Sequence, residues 1–400
     1  KEQAVSAVRG VKWYPAWGEE RIISMVRERS DWCISRQRLW GVPIPIFFCE
    51  KCGKALIDIE VIRHVASIFK TEGSDAWYAR SARELMPEGV KCPACGHDGF
   101  RKETDIMDVW FDSGVSHAAV CEERPYLHSP ADVYLEGGDQ HRGWFQSSLL
   151  TSVATRGRAP YRAVVTHGMV VDGEGKKMSK SLGNGIDPSE ITGRYGADIL
   201  RLWVASADYQ VDVRLSQDIL KQLSEVYRKI RNTARFILGC IGDFDPDENS
   251  VPDSAFADID RWALQKLDRL LAKVRAAYEE YEFHVAFHAI HNFCVTDMSN
   301  FYLDILKDRL YVEAPNSETR RAAQTVIYRV LDALTLMTAP ILAFTADEIW
   351  RAMPHEKAKN PERAVFNEIP KLRNIYDEAF MARFERLRAV REDAQKALVV

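Results

Sequence analysis

The spacing of hydrophobic positions changes near the middle of the chain. In the first half, an apolar strand is predicted over 131–136, a helix from about 142 to 157, and a second strand over 161–165. This strand–helix–strand order, with the first strand expected to be buried, is typical of one half of a doubly wound parallel sheet. The pattern therefore predicts a Rossmann-like α/β unit.

Beyond residue 188 the apolar positions recur at helical spacing almost without interruption. Short helices are predicted to begin near 188 and 197, and breaks rich in proline, aspartate and asparagine then separate five long amphipathic segments. The pattern predicts a helix bundle. Its long segments lie near 217–242, 257–281, 283–311, 317–353 with an interruption at Pro340, and 372–398.

The composition is that of a globular protein with several domains. The 400 residues are 46% hydrophobic and 10% aromatic, and this length favours roughly two or three domains. The longest apolar run, around 333–346, contains Pro340 and is too short to span a bilayer. The charged N-terminal segment lacks the apolar core of a signal peptide. We therefore expect a cytoplasmic protein without a membrane segment.

Two Cys-x-x-Cys pairs, each followed directly by a glycine, are formed by Cys49 with Cys52 and by Cys92 with Cys95. Two thiolates three positions apart are typical of a structural zinc knuckle. No histidine stands at knuckle spacing to replace one of them. The sequence therefore predicts a structural Zn²⁺ site with four thiolate ligands, in an insertion near 48–100. Four unrelated buried cysteines are the alternative.

A lysine-rich loop follows the α/β pattern. Residues 175–184 read Gly-Lys-Lys-Met-Ser-Lys-Ser-Leu-Gly-Asn and show neither helical nor strand periodicity. Three lysines and two serines on a flexible backbone suit a polyanion, because ammonium groups can neutralise oxygens as these develop charge. A nucleoside triphosphate fits that description. The alternative is an ordinary solvated turn.

Glycines and polar residues stand directly after the first predicted strand, at 137–141. In open parallel sheets, ligands bind at the carboxyl ends of the strands. The glycines would let a nucleotide approach the backbone closely, and Glu136, Asp139 and Gln140 could meet an ammonium group or ribose hydroxyls. This turn is therefore a candidate binding site.

The segment 221–240 is strongly basic, although the whole chain has a formal net charge of −4. Lysine and arginine supply sequence-independent affinity for the phosphates of nucleic acids. The segment is therefore a candidate contact for a phosphate backbone, and a solvated helix face is the alternative. Its basic residues are Lys221, Arg228, Lys229, Arg231 and Arg235.

From about Trp32 onward the chain resembles class I aminoacyl-tRNA synthetases of the isoleucine type. The resemblance rests on Lys-Met-Ser-Lys-Ser at 177–181, on Leu-Glu-Gly-Gly-Asp-Gln-His-Arg-Gly-Trp-Phe at 135–145, and on Asp-Val-Trp-Phe-Asp-Ser-Gly at 108–114. It implies that L-isoleucine reacts with ATP and Mg²⁺ to give isoleucyl-adenylate, and that isoleucine is then transferred to tRNA(Ile).

The resemblance also implies roles for single residues. Lys177 and Lys180 would stabilise the leaving pyrophosphate as the catalytic residues, and Trp110 and Trp144, with Gln140, would form the amino-acid pocket. The residues expected to bind ATP or the adenylate are Glu136, Gly137, Asp139, Gln140, His167, Gly168, Met169 and Lys180.

On the same basis we expect three parts in a monomeric protein. Residues 1–30 would be a connector from the editing insertion, 31–214 the C-terminal half of the catalytic domain with its zinc insertion, and 215–400 the anticodon-binding domain. The His-Ile-Gly-His type motif of these enzymes does not occur in the sequence. We therefore expect a C-terminal part of a longer enzyme that is inactive alone.

Two other functions stay open at this point. One is a nucleotidyltransferase that uses the lysine loop on another acceptor. The other is a non-enzymatic RNA-binding module made of the zinc knuckle and the bundle.

Overall fold

The computed structural model describes residues 1–179 and 181–398 and forms two compact units, Lys1–His167 and Gly168–Val400. The predicted boundary at 214/215 lies inside the second unit, and the assignment of functional domains stays a prediction. Within the described residues, no helix is both long enough and apolar enough to cross a membrane.

The first unit contains short strands and seven α-helices. Its strands are β1 (Lys12–Tyr14), β2 (Ser35–Arg36), β3 (Phe47–Cys49), β4 (Ala55–Leu56), β5 (Phe100–Lys102), β6 (Ile106–Met107), β7 (Ala131–Gly137) and β8 (Tyr161–His167). Its helices are α1 (Glu2–Val8), α2 (Trp17–Glu28), α3 (Ile59–Glu72), α4 (Ala76–Ala79), α5 (Ala82–Leu85), α6 (Val109–Gly114) and α7 (Trp144–Arg156), with a π-helical segment at His117–Glu122 and a 3₁₀ turn at Gly138–His141.

The predicted strand–helix–strand unit is confirmed. β7 and β8 pair in parallel, with Gly137 opposite His167 at their carboxyl ends, and α7 connects them. The strand β1 pairs in parallel with the other side of β8. The expectation of a buried strand over 131–136 is wrong for Leu135, which is 54% exposed. Neighbouring residues of a strand point to opposite faces, and it is the neighbouring Tyr134 that packs on α7, against Trp144.

Residues 1–28 contribute α1, β1 and α2 to this sheet and its core. Val8, Trp13 and Ile22 are buried, and Trp13 stands opposite Val164 in the sheet. The predicted connector did not include this strand, because three residues are too few to show an alternating pattern.

The second unit is mainly helical. Its strands β9 (Val170–Val171) and β10 (Val213–Arg214) pair in parallel. Its helices are α8 (Pro188–Tyr195), α9 (Ala197–Ser206), α10 (Gln217–Cys240), α11 (Asp258–Glu279), α12 (Phe283–Asn292), α13 (Leu303–Ile305), α14 (Lys307–Tyr311), α15 (Glu318–Thr338), α16 (Ala343–Ala352) and α17 (Glu378–Leu398), with a π-helix at Phe293–Tyr302 and 3₁₀ turns at Asp253–Ala255 and Ala364–Phe366.

The predicted helix bundle is confirmed, with Trp262, Leu331 and Trp350 fully buried in its core. The predicted break near Pro340 separates α15 from α16. The predicted helix over 283–311 is divided into α12, the π-helix, α13 and α14, because apolar spacing does not distinguish a π-helical turn from an α-helical one.

The last predicted helix, over 372–398, begins only at Glu378. The carboxylate of Asp268 accepts hydrogen bonds from the backbone amides of Arg373 and Asn374, at 2.6 and 2.9 Å. Asn374 also has a positive φ of 55°, which no α-helix contains. A side chain distant in sequence therefore keeps these residues out of the helix.

Candidate functional site

The turn at Gly138–His141 lies at the carboxyl ends of β7 and β8, as the sequence predicted. Glu136 and His167 stand at the ends of these strands, and Glu136 Oε2 lies 4.0 Å from His167 Nε2. Both side chains are partly exposed, at 52% and 37%. The edge of the sheet therefore offers a carboxylate and an imidazole to a ligand.

Gln140 joins this turn to the first residue of α7. Its Oε1 accepts a hydrogen bond from the Trp144 amide at 2.9 Å, and its Nε2 donates to Asp139 Oδ2 at 3.2 Å. The first amides of a helix have no partner within the helix. Gln140 satisfies one of them, and its side chain is held in a single orientation as a result.

The two tryptophans of the predicted amino-acid pocket lie on α6 and α7. Trp144 stacks on Tyr134 with ring centroids 3.9 Å apart, and its Nε1 donates to the carbonyl of Ser113 at 3.0 Å. Trp110 is 43% exposed. A Cβ atom placed on Gly143 would lie 2.9 Å from the Trp110 ring and 2.5 Å from Gln140 Oε1. Trp110, Gln140 and the Trp144 amide therefore lie around Gly143, and an amino-acid pocket formed by these residues stays a prediction.

The helix with Trp110 is fixed by Asp108, for which sequence reasoning gave no role. Asp108 caps α6 through the Trp110 amide at 3.0 Å, accepts from Trp32 Nε1 at 2.9 Å, and pairs with Arg36. Burial alone would raise the pKa of this carboxyl, but the two hydrogen bonds and the guanidinium hold that pKa below its usual range. Asp108 is therefore an ionised support for Trp110.

The lysine loop lies in the second unit and is closed by two polar residues. Asp172 accepts from the Lys176 amide at 2.8 Å and from Asn184 Nδ2 at 2.8 Å, and Asn184 Oδ1 accepts from the Ser179 amide at 2.9 Å. These bonds, that of the Asn184 amide first, hold the pKa of Asp172 below its ordinary value. Lys177 is exposed at the outside of this closed loop.

Lys180, predicted to be catalytic and to bind ATP, lies outside the described residues. The neighbouring Ser181 contacts Ser179, whose Oγ lies 3.2 Å from the Ser181 Oγ. Sequence reasoning did not single out Asp172 or Asn184. The Asp-Gly and Gly-Asn steps at the two ends of the loop are turn signals that could have drawn attention to them.

Gly168 and Met169 begin the second unit. A Cβ atom on Gly168 would lie 2.3 Å from the carbonyl carbon of Val211, so any side chain there would collide with the backbone. The Met169 amide donates to Asp212 Oδ1 at 2.8 Å. Residue 168 is therefore a glycine because two backbone segments approach each other closely here.

The four predicted zinc ligands form a cluster. The Sγ atoms of Cys49, Cys52, Cys92 and Cys95 all lie within 4.8 Å of one another, and two of the pairs are 3.6 Å apart. Zinc–sulfur bonds of about 2.3 Å in a tetrahedron place the sulfurs about 3.8 Å apart. The donor set and its spacing therefore fit a tetrahedral metal ion.

Two of these thiols have pKa values shifted in opposite directions by their surroundings. The amide of Ala94 donates to the Cys92 sulfur and lowers the pKa of this thiol to about 7. Although the His97 amide lowers it, burial and the neighbouring sulfurs raise the pKa of Cys95 to about 11. A cation bound among the four sulfurs would favour their thiolate forms.

The cluster stands on a small antiparallel sheet of order β4-β3-β5. Phe47 and Trp77 are buried beneath it, with ring centroids 5.1 Å apart. Gly53 and Gly96 follow the two cysteine pairs with φ of 71° and 73°. Their amides donate to the carbonyls of Cys49 and Cys92, and each knuckle closes in this way.

All five predicted RNA-contacting residues of α10 are exposed. Arg228 pairs with Glu225 at 2.6 Å and Arg231 with Glu348 at 2.9 Å. Lys221 and Arg235 make no ion pair with any residue that the structure describes. Because Lys221, Arg228 and Arg235 recur every seven residues, they share one face of the helix.

Comparisons with known proteins agree with this architecture. The profile of the family described as tRNA synthetases class I (I, L, M and V) matches residues 1–216. The profile described as anticodon-binding domain of tRNA ligase matches residues 260–398.

Two similar sequences carry the same name. The isoleucine–tRNA ligase of Caldanaerobacter subterraneus subsp. tengcongensis is 59% identical over 401 residues, which cover 100% of this chain and 43% of the relative. That of Syntrophotalea carbinolica is 56% identical over 398 residues, with the same coverage. The chain thus spans less than half the length of the curated relatives it matches.

Two solved structures share the fold. The LeuRS of Agrobacterium radiobacter K84, in a ternary complex with tRNA and LeuAMS, is 23% identical with a TM-score of 0.64 over 88% of this chain and 43% of that one. The methionyl-tRNA synthetase of Mycobacterium tuberculosis, in complex with methionyl-adenylate, is 20% identical with a TM-score of 0.59 over 84% and 57%.

The predicted fold class, a doubly wound catalytic unit followed by a helix bundle, agrees with these likenesses. Because the class I profile matches more than half of its residues, the chain belongs to the class I tRNA synthetase family of the isoleucine, leucine, methionine and valine enzymes.

Proposed function

We propose that the protein containing this chain is an isoleucine–tRNA ligase, monomeric and cytoplasmic, that activates L-isoleucine with Mg-ATP and transfers it to tRNA(Ile). The observation that carries this proposal is the identity of 55–59% to proteins of that name along the whole chain. The grouping of Trp110, Gln140 and Trp144 around Gly143 supports it, since large apolar faces suit a branched aliphatic side chain.

In this proposal the turn at the end of β7 binds the adenylate. Glu136, Asp139 and Gln140 offer acceptors and an amide to the ammonium group and the ribose hydroxyls, with Gly137 allowing close approach. His167, Gly168 and Met169 would line the nucleoside. The hydrogen bonds of Gln140 to Asp139 and to the Trp144 amide support this role, because they fix the side chain before a ligand arrives.

Lys177 and Lys180 would neutralise the charge that develops on the departing pyrophosphate. Preorganised charge is usually the largest contribution to catalysis. The closure of the loop by Asp172 and Asn184 supports this assignment for Lys177, because it limits where an otherwise flexible segment can place its ammonium group.

Cys49, Cys52, Cys92 and Cys95 would hold a structural Zn²⁺. A site with four protein ligands has no open position for substrate, so the metal would supply folding stability rather than chemistry. The exposed basic face of α10 would contact the phosphates of tRNA. Lys221 and Arg235 support this role, since neither is neutralised by an acidic neighbour in the described part of the chain.

The test is isoleucine-dependent exchange of pyrophosphate into ATP by the protein that contains this chain, followed by charging of tRNA(Ile). Lys177→Ala and Lys180→Ala should each lower the exchange rate by about 100- to 1000-fold, with a much smaller effect on the affinity for isoleucine. Lys176→Ala is the matched control, because Lys176 is paired with Glu174 at 2.7 Å and should matter little. Exchange that proceeds equally with any amino acid would refute the proposal.

We further propose that these 400 residues alone do not form adenylate. The resemblance implies a second phosphate-binding motif that the sequence lacks, so the lysine loop would neutralise only one side of the triphosphate. Isoleucine-dependent exchange by the isolated chain above background would contradict this proposal.

A further inference from the structure

His141 ends the candidate adenylate-binding turn and is completely buried. Its ring lies between aromatic side chains of distant segments, with centroids 6.0 Å from Trp13, 5.4 Å from Trp17 and 5.4 Å from Phe145. The face toward α2 is closed by Gly18, where a Cβ atom would lie 3.3 Å from His141 Nε2. A ligand therefore cannot reach this imidazole.

The two ring nitrogens of His141 have different surroundings. Nδ1 lies 3.0 Å from the carbonyl oxygen of Gly138, whereas Nε2 is buried and has no hydrogen-bond partner among the described residues. A carbonyl can only accept a hydrogen bond, so Nδ1 must carry the proton. A proton on Nε2 would be a buried donor without an acceptor, so the neutral ring leaves that nitrogen bare.

We propose that His141 is the positioning residue of this turn: as a neutral imidazole protonated on Nδ1, it holds the Gly138 carbonyl and thereby aims Asp139 and Gln140. The bond spans the residues that present these two side chains. The aromatic residues around the ring prevent it from rotating away. The role in adenylate binding rests on the proposed function, whereas the control of the turn does not.

The electrostatic surroundings agree with a neutral ring. Burial lowers the pKa of His141 below its ordinary value, the Gly138 carbonyl opposes this shift, and the charges facing the ring are Arg21, which lowers the pKa, and Asp139, which raises it. A phenylalanine would fill the same aromatic slot but could not hold the carbonyl. Shape and hydrogen bonding at this position can therefore be separated by substitution.

The first test requires no ligand. In the ¹⁵N spectrum of the histidine rings, His141 should show a protonated Nδ1 and a bare Nε2 near pH 7 and should remain neutral at pH 6. A proton on Nε2, or a charged ring at pH 6, would overturn the proposal.

The second test measures the affinity for a sulfamoyl analogue of isoleucyl-adenylate in the protein that contains this chain. The amide nitrogen of asparagine can occupy the place of Nδ1, and that of glutamine the place of Nε2. H141N should bind within about threefold of the unsubstituted protein, whereas H141Q and H141F should bind about tenfold more weakly. Melting temperatures are measured in parallel, and a purely structural role predicts that affinity follows stability across the three variants.

Three outcomes are distinguished: positioning by His141, no positioning by His141, and failure of the proposed function. Weaker binding by H141F and H141Q at a melting temperature not below that of H141N supports positioning. Binding by H141F as tight as that of the unsubstituted protein overturns it, and if H141F does not fold, H141Q is judged in the same way. If the unsubstituted protein does not bind the analogue, the proposed function fails, and the ¹⁵N experiment alone decides whether His141 controls the turn.

Discussion

Gly143 lies in the candidate pocket at a position without room for a side chain. Its backbone has φ −110° and ψ −117°, between the turn at Gly138–His141 and the first turn of α7. A Cβ atom there would lie 2.5 Å from Gln140 Oε1 and 2.9 Å from two carbons of the Trp110 ring. Carbon atoms in contact are normally about 3.5–4.0 Å apart. Gly143→Ala therefore forces the side chains of Gln140 and Trp110 to move.

The magnitude follows from two contributions. Overpacking of this kind costs about 1–3 kcal/mol when neighbours must shift. Displacing Gln140 also removes its bond to the Trp144 amide, present at 2.9 Å, which is worth about 1 kcal/mol. We expect Gly143→Ala to lower the free energy of unfolding by about 2–4 kcal/mol and to raise the Michaelis constant for isoleucine more than it lowers kcat.

Guanidinium unfolding followed by tryptophan fluorescence measures the first effect, and pyrophosphate exchange measures the second. Gly10→Ala is the matched control in the same unit, because Gly10 is exposed and a Cβ atom there meets only the Ala7 carbonyl oxygen at an ordinary 3.6 Å. The free energy of unfolding of this control should stay within about 0.5 kcal/mol of that of the unsubstituted protein. If Gly143→Ala has the same free energy of unfolding as Gly10→Ala and keeps its Michaelis constant for isoleucine, a Cβ atom at residue 143 does not collide with Gln140 and Trp110 as we infer.

Three further predictions concern the cysteine cluster, the bundle and the lysine loop. Cys92→Ser should reduce the zinc content below about one ion per chain and lower the melting temperature, as measured by metal analysis and calorimetry. A hydrogen bond from Arg320 holds the pKa of Asp243 at about 2, so its contribution to stability should be complete above about pH 4 and lost as the pH falls through 2. Urea unfolding should place the free energy of unfolding of Asp243→Asn about 1 kcal/mol below that of the unsubstituted protein at pH 7 and equal to it only below pH 2, a small effect because this carboxylate is 44% exposed. Asn184→Ala should slow adenylate formation at least about tenfold with an unchanged melting temperature, since it removes the bonds that join residue 184 to Asp172 and to the Ser179 amide without touching the core.

The fold could be predicted from the sequence wherever a segment is long enough to show its own period. The helices α10, α11 and α15 and the strands β7 and β8 begin and end within a few residues of their predicted bounds. Each buries a face whose apolar spacing is visible without knowledge of its partner.

Elements whose form depends on a distant partner were not predictable in this way. The strand β1 has three residues and becomes a strand by pairing with β8. The start of α17 is delayed by the carboxylate of Asp268, which belongs to another helix. In both cases the deciding hydrogen bonds join residues far apart in sequence, and local periodicity carries no information about them.

In the candidate site, too, some parts could be predicted from the sequence and others could not. The cysteine cluster was predictable because its ligands come in two local pairs with a fixed spacing, and the structure brings all four sulfurs together. The residues that hold the site in place could not be predicted from the sequence. Asp108 and Asn184 read in the sequence as ordinary polar residues, and only the fold reveals that they cap a helix and close a loop.

Membership of a motif also does not show that a residue touches the ligand. Gly168 was expected from the resemblance to line the nucleotide, yet a Cβ atom there would lie 2.3 Å from the Val211 carbonyl carbon and 2.6 Å from the Asp212 amide nitrogen. The glycine is required by this backbone contact whether or not a nucleotide binds, because neither backbone atom can rotate away as a side chain would. Loss of activity in Gly168→Ala would therefore report on the packing of the second unit. Evidence for ligand contact at this site has to come from exposed residues that can be substituted without disturbing the packing, such as Glu136 and Asp139.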